Sequence, residues 1–115
     1  MRSTRMENAM IAADRLWGKA MAVSPEFVER YLELCEQLLT ERPYVRGDVF
    51  REYCRDKGLV RPARLHPNVW VSGPRAMEHL GWIEKHGKVE PLAAHNHMPS
   101  VTLWRSLLYV RVPPA

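Results

Sequence analysis

The sequence predicts a mainly α domain with a small antiparallel β-hairpin, an α+β fold. Three observations support this prediction: clear helix starts in the first half of the chain, further helix signals between residues 65 and 83, and a β-prone run near the C-terminus. With 115 residues, of which 46% are hydrophobic, the chain can bury a single core. We expect an N-terminal extension helix within residues 1–24, a main domain over 25–110 and a tail over 111–115.

The best-supported helix begins at Ser24-Pro25-Glu26. This triplet supplies a capping serine, a proline at the first helical position and an acidic residue that favours the helix dipole. Apolar residues then recur at spacings of three and four from Phe27 to Leu39, and Pro43 ends the helix. A weaker apolar pattern predicts an earlier helix from about Met6 to Met21.

Two further helical segments are expected after Pro43. Beyond the connector Tyr44-Val45-Arg46, Gly47-Asp48 begins a helix of about ten residues that closes at Gly58. Later, Pro67 and Pro74 each mark a helix start and Gly81 marks a stop. We therefore predict a first turn at Pro67, a break at Gly73-Pro74 and a short second helix.

The hairpin is predicted from two extended stretches separated by a loop. The first runs from Trp82 to Pro91 with His86-Gly87 inside it, residues 92–100 form the loop, and Val101–Val110 is the second. Pro113-Pro114 ends the second stretch. Together with the preceding helices, this hairpin predicts a winged helix-turn-helix with an extra N-terminal helix.

The formal net charge of +4 suggests an anionic partner, and its distribution is informative. Residues 46–75 hold seven basic and three acidic residues, whereas residues 25–45 hold two basic and five acidic. The positive excess therefore lies just before and within the proline-marked segment. An ordinary solvated surface of mixed charge is the alternative interpretation.

The chain resembles small winged-helix proteins encoded in phage and prophage replication or regulatory regions. The resemblance spans roughly residues 25–107. Its matching elements are Glu41-Arg42-Pro43, Gly47-Asp48-Val49, His66-Pro67-Asn68-Val69-Trp70, Leu80-Gly81-Trp82-Ile83, and His95 ahead of Val101-Thr102-Leu103-Trp104-Arg105-Ser106. Gly73-Pro74 departs from the continuous recognition helix of that family.

The resemblance implies contacts with double-stranded DNA, which follow the chemistry of the side chains. Arg and Asn can bond purine edges, and basic residues of the loop and hairpin can lie on phosphates. The base or groove contacts are Asn68, Ser72, Arg75 and His79, and the phosphate contacts are Arg61, Arg64, Lys85 and Lys88. Alternatives stay open: Asn68 can close a turn and the two loop arginines can serve solubility. Trp70, Trp82 and Trp104 are better suited to the core than to stacking.

Catalysis, cofactors and a metal site are not expected. The chain has no Gly-rich phosphate loop, nucleophile elbow or paired-carboxylate motif. His95-Asn96-His97 lacks nearby Cys, Asp or Glu to complete four zinc ligands. Cys35 and Cys54 fall at apolar helix positions and form no C-x-x-C pair, so we expect buried free thiols.

Two hypotheses for function follow. The first is a DNA-binding winged helix that acts in replication or transcription control. The second is a protein-interaction module on the same scaffold that binds or inhibits a host protein or nucleoprotein complex. We expect a cytoplasmic protein with no membrane partner, because the chain lacks a long apolar run and a signal peptide. The N-terminal helix also suits a homodimer, although no heptad repeat requires one.

Overall fold

The computed structural model describes residues 15–90 and 100–110, with side chains from residue 17 onward. Four helices and a three-stranded antiparallel sheet occupy these ranges, which confirms the predicted α+β class. In chain order the elements are α1 (Arg15–Val23), α2 (Pro25–Glu41), β1 (Tyr44–Arg46), α3 (Gly47–Asp56), α4 (Val69–His79), β2 (Ile83–Val89) and β3 (Val101–Ser106).

Helix α2 is the centre of the core. It begins at Pro25 as predicted, but Ser24 does not cap it through its side chain: the Ser24 hydroxyl donates to the Glu26 carboxylate at 2.9 Å and makes no bond to the helix backbone. The apolar side of the helix is completely covered, because its side chains at spacings of three and four pack against all three other helices. The buried residues are Phe27, Val28, Tyr31, Leu32, Leu34, Cys35, Leu38 and Leu39.

Helix α1 packs into this same core. Trp17 is fully buried, and its ring meets Tyr31 edge-to-face at a centroid distance of 5.5 Å. Trp70 of α4 contacts the same ring at 6.0 Å, so one aromatic cluster joins three helices. The predicted extension helix is therefore part of the main core where it is described, from residue 15; its earlier residues, from Met6, lie outside the described ranges.

The segment Tyr44-Val45-Arg46, expected to be a connector, is a strand. It pairs antiparallel with β3, and Val45 faces Trp104 across the ladder with both side chains buried. A stretch of only three residues carries little strand signal, and its partner strand β3 lies about 60 positions away in the chain. Long-range pairing, not local pattern, makes this strand.

The predicted hairpin is confirmed in β2 and β3. Strand β3 is central, in the order β1-β3-β2, and β2 has an irregularity between Lys85 and Gly87. The second strand ends earlier than Val110 because the chain turns at Ser106, whose hydroxyl donates to the Leu39 carbonyl at 2.6 Å. The loop predicted for residues 92–100 lies outside the described ranges except for residue 100.

Helix α4 is continuous, and the break predicted at Gly73-Pro74 is wrong. A proline inside a helix removes one hydrogen bond and costs about 3 kcal/mol or more. Burial offsets that cost, because Gly73 and Pro74 are both buried and Gly73 lies directly against Tyr31. The predicted stop at Gly81 is confirmed, with φ at +79°, a conformation that glycine adopts at little cost.

Helix α3 agrees with its prediction, running from Gly47 to Asp56 with Gly58 at φ +88° just beyond. The Cys54 sulfur lies 3.9 Å from that of Cys35 on α2, and both free thiols are fully buried, as expected. None of the helices within residues 15–90 and 100–110 is long and apolar enough to cross a membrane.

Candidate nucleic-acid interface

Helix α4 presents an exposed stripe of side chains to solvent. Asn68 precedes its first residue, and Val71, Arg75 and His79 follow at spacings of three and four, so the side chains stand above one another on one face. All four are exposed, and Val71 is 74% exposed. The opposite face is buried against the core. This division is what a helix needs if it is to enter a groove of a partner.

Ser72 lies on the inner face of α4. Its side chain is only 7% exposed, and its hydroxyl donates to the Val69 carbonyl at 3.2 Å. A serine inside a helix commonly satisfies its hydroxyl in this way. Of the base contacts expected from the sequence, Ser72 is therefore the one that the structure turns away from any partner, and we leave it out of the interface.

The start of α4 is held by its own loop. The Asn68 backbone N–H donates to Nδ1 of His66 at 3.1 Å, and the Asn68 carbonyl accepts the N–H groups of Val71 and Ser72 at 3.0 Å. These bonds use the backbone of Asn68 and leave no side-chain cap bond at this position. The turn-closing alternative and the groove-contact hypothesis for Asn68 are therefore compatible.

Arg61 and Arg64 are engaged by the protein itself. The guanidinium of Arg61 is half-buried and donates to the carbonyls of Pro62 and Leu65, which stabilises the loop that leads to α4. Arg64 is exposed and lies 3.6 Å from the Glu26 carboxylate at the start of α2. A backbone hydrogen bond, then the Ser24 hydroxyl and then Arg64 lower the pKa of Glu26. Arg61 thus has a structural role in this structure, which favours the loop alternative for that residue.

The two lysines of the hairpin differ in their surroundings. Both are exposed on β2, but Lys88 pairs with Thr102 on β3, and its ammonium donates to the Thr102 hydroxyl at 3.1 Å. Lys85 pairs with Trp104, on the other side of the strand irregularity. Lys88 lies at the gap between the hairpin and the helices, in the same cleft as Val71 on the exposed side of α4.

A cleft of about 230 Å³ connects these elements. It lies between the first turn of α3, the outer side of α4 and the paired strands β2 and β3. Arg51 of α3, Val71 of α4 and Lys88 of β2 all line it. Arg51 was not among the residues selected from the sequence, although its exposed position on α3, opposite the apolar stripe, was a signal for it. The structure therefore adds Arg51 to the candidate interface.

Histidines do not form a metal centre in the described part of the chain. Across residues 15–90 and 100–110 no group of three His, Cys, Asp or Glu side chains is placed to hold an ion. His95 and His97 lie outside these ranges. His86 instead packs its ring on Tyr44, with centroids 4.8 Å apart.

The structure brings Val71 of the α4 stripe together with Arg51 and Lys88 at the cleft, and it places Arg61 and Arg64 in loop contacts outside the cleft lining. Of the tryptophans expected in the core, Trp104 belongs to it, whereas Trp70 and Trp82 are partly buried and pack against it; Trp70 and Trp104 also line the cleft. No protein-family model, no curated protein and no solved structure matches this chain.

Proposed function

We propose that this protein binds double-stranded DNA as a winged helix-turn-helix module and acts in replication or transcription control, as in the phage and prophage proteins that its sequence resembles. The observation that carries the proposal is the outer face of α4. There, Asn68, Arg75 and His79 form one exposed stripe beside a hairpin that carries Lys85 and Lys88.

The order of the elements supports the winged-helix assignment. After α2 come one short strand, two helices and a two-stranded hairpin, and the short strand β1 adds to the hairpin next to β3. In such a module the second helix of the pair, here α4, is the one that enters the major groove. The hairpin β2–β3 is then the wing.

The side chains of the stripe have the chemistry for base contacts. The guanidinium of Arg75 can bond guanine O6 and N7, and the amide of Asn68 can bond adenine N6 and N7. Val71, between them on the same face, can contact a thymine methyl group. At about 1.5 Å per residue, α4 spans about 16 Å, enough to place all three side chains along one groove.

Phosphate contacts are assigned to the basic residues that border the stripe. Arg51 and Lys88 both line the cleft, from α3 and from β2, and Lys85 lies nearer the start of β2. Such contacts hold the module in register without selecting a sequence, and they make affinity depend on salt.

The experiment is a fluorescence anisotropy titration of a labelled random-sequence 30-base-pair duplex. We expect binding at about 50 mM salt that weakens steeply by about 200 mM, because counterions are released from the phosphates. The double variant Arg51→Gln/Arg75→Gln should lower affinity about tenfold or more and reduce the salt slope by about one, because only Arg51 of the two is assigned to a phosphate.

Arg42→Gln is the control for the loss of a positive charge outside the candidate interface. Arg42 directly follows α2, close in sequence to Tyr44, which pairs with Arg105 near the end of β3. Lys88 of the cleft pairs with Thr102, near the start of β3, so Arg42 lies toward the other end of this strand. We expect this control to change affinity less than about twofold. Absence of binding at low salt, or an equal effect of the control and the double variant, would contradict the proposal.

A second candidate function, protein binding, is favoured by one corner of the molecule. Tyr44, Leu107 and Tyr109 are each at least 40% exposed. Backbone bonds from Ser106 to Pro43 and from Val110 to Thr40 hold these residues near the end of α2. Exposed apolar side chains that lie together are typical of protein interfaces. Capture of a host protein after complete nuclease digestion, abolished by Tyr44→Ser/Tyr109→Ser, would favour this function over DNA binding.

A further inference from the structure

The cleft beside α4 has features that groove binding does not require. Its volume is about 230 Å³, and it penetrates beneath the exposed stripe as far as the indole of Trp104, which is itself 6% exposed. Trp70 and Pro74 form the α4 side of the wall, and Val71 stands at the mouth. DNA backbone lying across α4 would pass over this opening without filling it.

The size of the cleft restricts its occupant. Pockets for drug-sized ligands usually measure about 300–1,000 Å³, so this one suits a single ring with a short substituent. The walls contribute two indoles and a proline ring, which favour a flat apolar group through burial and offset or edge-on aromatic contacts. A peptide segment would exceed this volume.

The polar residues of the cleft favour a negative substituent. Arg51 and Lys88 approach from α3 and β2, and Asp48 is the one acidic residue among the described residues that line the cleft. Asp48 belongs to the first turn of α3, where the positive end of the helix dipole offsets its charge. Arg51 also lies 3.4 Å from the Glu52 carboxylate, which is outside the cleft, but so exposed an ion pair contributes little. Among the described residues that line the cleft, two cations therefore face one carboxylate, and a carboxylate is a good ligand for an Arg-Lys pair.

We propose that this cleft binds a small aromatic carboxylate. The ring lies between Trp70, Pro74 and Trp104, and the carboxylate lies between Arg51 and Lys88. Because the same two cations are assigned to phosphates above, an occupied cleft also weakens DNA binding; this consequence, unlike ligand binding itself, rests on the proposed function.

Binding is tested on the full chain with phenylacetate as the probe. Its titration should shift the indole N–H resonances of Trp70 and Trp104 in a 15N-correlated NMR spectrum and leave that of the buried Trp17 unchanged. The expected dissociation constant is about 1 mM, since so small a ligand has few atoms with which to bind. The neutral analogue 2-phenylethanol has nearly the same shape and should bind about fivefold or more weakly.

Matched variants distinguish the effect of a positive charge in the cleft from that of a positive charge elsewhere on the surface. Arg51→Gln and Lys88→Gln should each weaken phenylacetate binding about fivefold, whereas Arg55→Gln, one turn further along α3 and outside the cleft, should change it less than about twofold. All three side chains are exposed, so we expect the variants to fold. Equal binding of the acid and the alcohol, or equal effects of Arg51→Gln and Arg55→Gln, would overturn the proposal.

The link to DNA has its own measurement. Phenylacetate at about 10 mM should lower duplex affinity about threefold, while the same concentration of 2-phenylethanol should not. If phenylacetate shifts the indole resonances but the protein without phenylacetate does not bind the duplex, the ligand site is supported and the proposed function is overturned. Duplex binding without indole shifts would overturn the ligand site and leave the proposed function standing.

Discussion

At the scale of single residues, Gly73 sets how closely α4 approaches the core. A β-carbon built at this position would lie 2.2 Å from the Tyr31 hydroxyl oxygen and within 2.7 Å of two ring carbons. Only glycine leaves room for the buried tyrosine at this crossing. The residue that looked like a helix break in the sequence is thus the residue that lets the helix dock.

Gly73→Ala is therefore expected to destabilise the protein by about 1–3 kcal/mol, because the added methyl group collides with a buried ring. A loss of stability would identify the collision as its cause, because replacing glycine by alanine inside an unhindered helix stabilises a protein by about 1 kcal/mol. Urea unfolding followed by circular dichroism measures the change.

Gly18→Ala is the control for that experiment, because nothing lies within 4 Å of a β-carbon at Gly18 in α1. This variant should be stabilised by about 0.5–1 kcal/mol. Adding Tyr31→Phe to Gly73→Ala should recover part of the lost stability, since it removes the nearest atom but leaves the ring. A Gly73→Ala protein as stable as the Gly18→Ala protein would show that the crossing is not tight.

At the scale of elements, the contact between α2 and α3 contains the thiol pair Cys35 and Cys54. Both sulfurs are fully buried, at 3.9 Å from each other. Burial, followed by the contact with Cys54, raises the pKa of the Cys35 thiol well above its usual range. The thiol form is therefore favoured in the folded protein, and the packing of the two helices becomes linked to pH.

The expected consequence is a loss of stability in alkali. Above about pH 8.5 the unfolded chain releases the Cys35 proton while the folded protein retains it, so the free energy of unfolding falls as pH rises, by up to about 1.4 kcal/mol per pH unit. Stability contributed by this group is fully present below that pH. Cys35→Ala should show a shallower slope between about pH 8 and pH 10 in urea titrations.

Comparing slopes, not absolute stabilities, removes the cost of the cavity that Cys35→Ala creates. Burial, and after it the neighbouring Cys35, also raises the pKa of Tyr31, so the difference in slope reports Cys35 together with its effect on Tyr31. Parallel slopes for the wild type and Cys35→Ala would contradict the linkage.

At the scale of the whole molecule, α1 is integral to the fold in its described residues. Trp17 contacts Tyr31, Tyr31 contacts Trp70, and Phe27 contacts Trp70 at 5.4 Å, so α1, α2 and α4 share one aromatic cluster. Helix α4, which carries the candidate interface, is consequently stabilised by α1 through this cluster. A domain boundary at residue 24 would divide this cluster.

Trp17→Ala should lower the free energy of unfolding by about 3–5 kcal/mol, because it empties a fully buried site at the centre of the cluster. Val23→Ala, at the end of α1 and 41% exposed, should cost less than about 1 kcal/mol. Differential scanning calorimetry should show one cooperative transition for both proteins. Two separate transitions, or equal small losses, would indicate that α1 unfolds independently of the rest.

The sequence by itself determined the local features of this protein. The Ser24-Pro25 start, the apolar stripe of α2, the Gly47–Gly58 helix, the stop at Gly81 and the hairpin all follow from caps, spacing and β-propensity, which act within a few residues. The four-residue spacing of Arg75 and His79 was also visible along the chain, whereas the predicted break at Gly73-Pro74 separated them from Asn68.

Only the tertiary structure decided what depends on distant partners. Strand β1 exists because β3 pairs with it. Helix α4 continues through Pro74 because Gly73 packs closely against the ring of Tyr31. Ser72 turns inward and Arg51 joins Lys88 at the cleft through the packing of α3, α4 and the hairpin. Each of these outcomes is set by contacts between residues far apart in sequence, whose energies no local pattern contains.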